Sequence, residues 1–326
     1  MERRSDLDFA KGVAIILMVL GHAYRNDACY GILCWLYSFH MPLFFVIPGV
    51  LYNGRDPLKT ASLPVVIGKK AGRLLVPYFA FSIINCCVLC VIGRKSLGDF
   101  GTYLYRIFAL QGINAMWFIP CFLFSELVFM GLAHSKYPAA ARALGSAIGL
   151  CAVSFPVLAE CLPMLQRLIV GVSFICLGSL LAQVYAMGVK FPVWCLMFAL
   201  HILLSSANGQ VDLAYGVYNN PFLYYVNGLL GTFVLIRLYH FIDKSIVGSS
   251  LCRIGRNTMP ILCTSSFVIE ILRLADYKLF GNCLPALGIM EGPVLCAIVI
   301  AAEILIIRLC NRYLYFLFGM QKRSGI

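Results

Sequence analysis

Charge is what this sequence has least of. Asp, Glu, Lys and Arg make up 12% of the 326 residues and apolar side chains 61%, whereas a soluble domain is roughly one quarter charged and half apolar. So few ions cannot cover a water-facing surface, which excludes a soluble globular domain. Acidic residues are scarcer than basic ones, 14 against 26, giving a formal charge of +12. Yet no block of five consecutive basic residues occurs, and Lys and Arg fall in the gaps between apolar runs. That pattern sets membrane topology and argues against a nucleic-acid partner. Zinc spacing is missing too. The fifteen cysteines include Cys86, Cys87 and Cys90, but these lie inside an apolar run without a Cys or His partner at ligand spacing, so no metal is expected and they read as helix packing. No Gly-x-Ser-x-Gly elbow marks a serine nucleophile, and no internal repeat points to a repeat-built transporter.

What fills the chain is long apolar stretches. A span needs roughly 20 apolar residues, and stretches near 9–25, 31–53, 73–93, 115–133, 140–159, 164–187, 190–207, 221–241, 258–280 and 286–308 predict an all-α integral membrane bundle of about ten helices. A single membrane domain over 1–326 is expected. Arg3 and Arg4 before the apolar run from Gly12 outline a secretory signal, but no small-residue cleavage site precedes Asn26 and Asp27, so the segment is expected to stay as the first helix. In alternate connectors 18 basic residues fall on the side of the N-terminus and 7 on the other. The bias predicts both termini in the cytoplasm and a multi-pass protein of the inner, cytoplasmic membrane.

Ionisable groups at membrane depth are costly and point to function. Lys11 and His22 are 11 residues apart, about three helical turns, so they share a face roughly 16 Å apart along the axis. His40 follows in Ser38-Phe39-His40-Met41-Pro42-Leu43-Phe44-Phe45. In a hairpin turning near Gly31, both histidines lie nine positions from the turn and at similar depth, facing one cavity. A neutral imidazole with a pKa near 6.5 can take a proton from an attacking hydroxyl. His134 and His240 fall at span ends and His201 stands alone in its segment, so these three are left out. Glu126, Glu270, Arg273 and Glu303, in or near spans, support a rival reading as a transporter or flippase of a polar or lipid-linked substrate; Glu270 and Arg273, three apart, also suit a pair on one helix.

Arg4, Asp8, Lys11-Gly12 and Gly21-His22, followed by the His40 motif, resemble the opening of the acyltransferase-3 family, multispan enzymes that acylate sugars and other exported molecules. The resemblance continues through Arg73-Leu74-Leu75-Val76-Pro77-Tyr78, Trp117-Phe118-Ile119-Pro120 and Gly255-Arg256-Asn257-Thr258 and covers nearly the whole chain. Three places depart from it: Lys11 where many members have Arg, Pro48 where relatives often carry Ser, and Ser265 where a histidine often follows the Asn257 motif. The resemblance implies an acyl-CoA donor, usually acetyl-CoA, reached from the cytoplasm, with no bound cofactor. It implies a hydroxylated acceptor such as a sugar or lipid-linked glycan of the bacterial envelope. His22 and His40 are then the catalytic candidates. Lys11, Arg73, Trp117 and Asn257 are the candidates for holding donor or acceptor, and membrane lipids are the remaining partners.

Overall fold

The computed structural model describes residues 3–24, 29–52, 56–93 and 96–318. Arg25, Asn26, Asp27, Arg55, Arg94, Lys95, Lys322 and Arg323, used above for topology or processing, lie outside them. Helix is the dominant element: α1 (Ser5–Ala23), α2 (Tyr30–Tyr37), α3 (His40–Tyr52), α4 (Leu63–Val91), α5 (Phe100–Phe108), α6 (Phe118–Ala133), α7 (Pro138–Ala152), α8 (Pro156–Cys161), α9 (Pro163–Leu180), α10 (Phe191–Asn208), α11 (Pro221–Ile242), α12 (Ile246–Gly255), α13 (Thr258–Leu279) and α14 (Glu291–Tyr313). Short 3₁₀ turns link several of them, and no strand occurs among the described residues.

Eight segments among the described residues are long and apolar enough to cross a membrane. The protein is therefore an all-α multi-pass membrane protein. The two other expected spans are helical but do not qualify. Asp6, Asp8 and Lys11 load the first turns of α1 with charge, and 140–159 is divided between α7, of 15 residues, and α8. Three boundaries also move. Helix α4 starts ten residues before the expected 73. The stretch 31–53 is two helices broken at Ser38 and Phe39. Gly31, expected at a hairpin turn, lies inside α2.

The chain divides into two compact units, one of Met1–Leu17, Tyr30–Ala61 and Phe124–Arg256, the other of Met18–Cys29, Ser62–Leu123 and Asn257–Ile326. In the first, α9 packs on α3 and α7. Missing side chains make the close α3–α9 crossing possible: a Cβ on Gly49 would strike the Ile175 carbonyl, and one on Gly178 the Val46 carbonyl. Helices in lipid gain mainly from such close van der Waals contact, which favours small residues at crossings. Phe174 stacks on Tyr225 of α11 at 4.6 Å between centroids.

In the second unit α13 packs on α4 and α14. Asn85 of α4 donates to its own Phe81 carbonyl and to the Cys263 carbonyl of α13, so one buried amide joins two helices. Tyr78 donates to the Ile107 carbonyl at 2.8 Å and accepts from the Gly112 amide at 3.1 Å. Gly112, at φ 69°, presses its Cα side against the Trp117 backbone. The Pro77-Tyr78 and Trp117 motifs thus meet across one loop, and the tyrosine hydroxyl that burial strips of water is satisfied there.

Candidate functional site

In the first unit the opening of α1 is an ion-pair network built around two aspartates. Asp8 takes Arg3 Nε at 2.5 Å, Lys11 Nζ at 2.9 Å and Arg256 Nε at 3.3 Å. Asp6 takes Arg4 at 2.6 Å and Arg237 at 3.6 Å. Arg237 is itself buried and also donates to the Tyr185 and Met187 carbonyls. Burial alone would push the Asp8 carboxyl up, but the hydrogen bonds and charges of Arg3 and Lys11 outweigh it and hold Asp8 below the ordinary carboxylate range. Five cations surround two carboxylates, so the network keeps a net positive charge. Its geometry depends on α12: a Cβ on Gly12 would strike the Leu251 carbonyl, and one on Gly255 the Asp8 carbonyl. The Lys11-Gly12 and Gly255-Arg256 motifs are therefore two halves of one contact.

His40 also belongs to the first unit. It opens α3, buried, with Nδ1 at 2.8 Å from the Leu36 carbonyl. A carbonyl can only accept, so Nδ1 carries the proton, and a neutral His40 has Nε2 as an acceptor. Tyr37 packs edge-on against it at 5.1 Å.

The second unit holds His22, Arg73, Trp117 and Asn257. His22 lies near the end of α1 and its side chain is exposed, while Gly21, Ala23 and Tyr24 beside it are buried. Arg273 of α13 donates to the Ala23 carbonyl at 2.8 Å and approaches the His22 carbonyl at 3.4 Å. Glu270 sits 3.6 Å from the same guanidinium, the one-helix pair its spacing suggested. The last carbonyls of a helix lack intrahelical donors and carry partial negative charge, so a cation there fixes the helix end. Arg73 is an exposed residue of α4, and Lys69, one turn earlier on that helix, is exposed as well. Trp117 is half-buried against Phe118. Asn257 precedes α13 without capping it and instead accepts from Asn311 of α14 at 3.3 Å.

Three polar constellations lie outside the candidates for catalysis and for holding donor or acceptor, and one of them contains Glu303, named above for the transporter reading. Arg237, in the network above, was counted only for topology. His201 is buried, with Nδ1 2.6 Å from Asn227 of α11 and its ring edge-on to Phe39. Glu303 is buried in α14, both carboxyl oxygens 2.7 Å from the Thr264 hydroxyl of α13. Each depends on a partner in another helix, 26 residues away for His201 and 39 for Glu303. No local spacing announces such partners.

These features describe a class: a polytopic α-helical membrane protein with an open histidine at one helix end and a cationic network at the start of the same helix. A family model described as an acyltransferase domain matches residues 4–308. The chain belongs to the acyltransferase-3 family. It is 32% identical over 189 residues to a protein named nodulation protein NolL from Sinorhizobium fredii, covering 54% of this chain and 48% of that one. It is 31% identical over 235 residues to a nodulation protein NolL from Mesorhizobium japonicum, covering 67% of this chain and 59% of that one. The chain thus spans about half to three fifths of these relatives. No solved structure matches it.

Proposed function

We propose that this protein is a membrane acyltransferase that moves an acyl group, most simply acetyl, from acyl-CoA to a hydroxyl of a sugar or exported glycan in the inner membrane. Membership of the family supports the reaction class, and one observation carries the site: His22 alone among its buried neighbours keeps an open side chain, on a helix end held by Arg273. In this reading an imidazole nitrogen of His22 takes the proton of the acceptor hydroxyl as its oxygen attacks the thioester carbonyl. The carbon–sulfur bond then breaks, and the departing CoA thiolate recovers the proton from the imidazolium, so His22 is restored. His40, with Nε2 as acceptor, orients a reactant hydroxyl.

The net positive network of Arg3, Arg4, Lys11, Arg237 and Arg256 suits the phosphates of CoA, which cannot enter the bilayer core. Lys11 keeps the charge common in the family but lacks the flat two-pronged head of arginine. Arg73 adds to the basic surface on α4, and Trp117 and Asn257 stay candidates for holding donor or acceptor. The test is free CoA release by purified protein from acetyl-CoA, with and without hydroxylated acceptors. Acceptor-dependent release with acyl-acceptor seen by mass spectrometry is the expected result. Flux of a polar substrate across vesicles without any CoA release would replace this reading with transport.

A further inference from the structure

A cavity of about 280 Å³ opens within the second unit between the end of α4, the last turns of α13 and the start of α14. Ile92, Leu274, Leu284 and Pro285 supply apolar wall; Arg273, Asp276, Tyr277, Asn282 and Glu291 supply polar atoms. The wall is fixed in advance. Asp276 is buried and accepts from the Cys283 and Leu284 amides, both at 3.1 Å, which ties the loop after α13 to its helix. Arg273 is held by the Ala23 carbonyl and Glu270. Glu291 differs from both. Only 5% of it is exposed, it lines the cavity, and it has no hydrogen-bond or ion-pair partner among the described residues. A carboxylate that lines a cavity offers its acceptor oxygens to a ligand that donates hydrogen bonds.

The chemistry of the lining selects the ligand. Two carboxylates beside one arginine disfavour a phosphate, and no group of three His, Cys, Asp or Glu suited to a metal occurs among the described residues. A neutral polyhydroxylated ring fits instead. Adjacent hydroxyls can donate to the two oxygens of Glu291, and the Tyr277 ring, 67% exposed at the edge, offers a flat face for the C–H side of a sugar. The volume sits just below the roughly 300–1,000 Å³ of small-ligand pockets, room for a single ring rather than a chain. We infer that this cavity is the docking subsite for one sugar ring of the acceptor, with Glu291 as its hydrogen-bond acceptor. The same Arg273 that lines the cavity holds the end of α1, so a docked ring sits beside the helix end that carries His22. The assignment rests on the acyltransferase reading for the fate of the sugar, but not for its binding.

The test uses the full chain in lipid nanodiscs with methyl glucoside, galactoside and mannoside as probes, ethanolamine as a cationic control, and Glu291→Gln, Ile92→Trp and exposed Glu160→Gln as variants. Without donor, at least one glycoside is expected to raise the melting temperature of wild type and Glu160→Gln but of neither cavity variant. With acetyl-CoA, Glu291→Gln should raise the acceptor KM about tenfold or more while donor KM and kcat stay within about twofold, the pattern of lost ground-state binding. The melting curves themselves show that each variant is folded. An acceptor KM unchanged in both cavity variants overturns the subsite and leaves the acyltransferase reading standing. Glu291-dependent glycoside binding with no acyl transfer supports the subsite and sinks the reading. Stabilisation by ethanolamine alone, or by no probe, overturns the subsite.

Discussion

Asp8 holds the charge balance of the network at the start of α1. With Arg3, Lys11 and Arg256 on it, removal of its charge by Asp8→Asn leaves three cations facing one another. Because those cations are partly open to solvent, the cost is that of a shielded network, about 1–2 kcal/mol, rather than that of a fully buried pair. The expected outcome is a melting temperature a few degrees lower at neutral pH. The pH sign follows from the depressed carboxyl. The stabilisation is fully present above the ordinary value of 3.8 and is lost as pH falls through the lower folded value. The difference between wild type and Asp8→Asn should therefore shrink below about pH 4. Lys11→Ala removes one of three cations from Asp8, so the fold survives while the donor KM rises more than kcat falls; Lys11→Arg should restore both. An unchanged donor KM with a lowered melting temperature would make Lys11 a structural partner only. A spacing of three on one helix suits the Lys11–Asp8 pair, but no spacing announces Arg256, 248 residues away.

Among the elements, the crossing of α1 and α12 is the most exacting, since Gly12 and Gly255 bring two backbones together without side chains between them. Gly12→Leu must force them apart, at about 1–3 kcal/mol or more for an overpacked contact. It should lower expression and melting temperature and shift the Arg256–Asp8 pair, so donor KM rises too. Wild-type melting and KM in Gly12→Leu would refute this contact. Helix existence was readable from apolar length alone. The break between α2 and α3 was not placed, although Pro42 was in view. Pro42 lacks an N–H, so the helical bond to the Ser38 carbonyl cannot form, while the His40 ring takes the Leu36 carbonyl and the Ser38 hydroxyl takes that of Trp35. The interruption therefore falls at Ser38 and Phe39, before the proline. Likewise 140–159 is mostly apolar, but turn geometry at 153–155 divides it into α7 and α8.

For the whole molecule, composition alone settled the solvent, and the motifs pointed to the family that the match over 4–308 shows. The partners of the candidate residues were hidden, because they depend on which helices pack, which local periodicity does not specify. The distribution of basic residues, 18 against 7, predicts that a reporter fused after Arg323 reads as cytoplasmic and one near Lys95 as external; an external C-terminus would reverse the donor path. The central claim is that His22 is the base for acyl transfer. It is tested most directly by single-turnover transfer from labelled acetyl-CoA with purified His22→Ala, matched to wild type in melting temperature and donor binding. The account predicts a loss of transfer rate of about 10² or more, as expected when a general base is removed. Near-normal transfer by folded His22→Ala would contradict it.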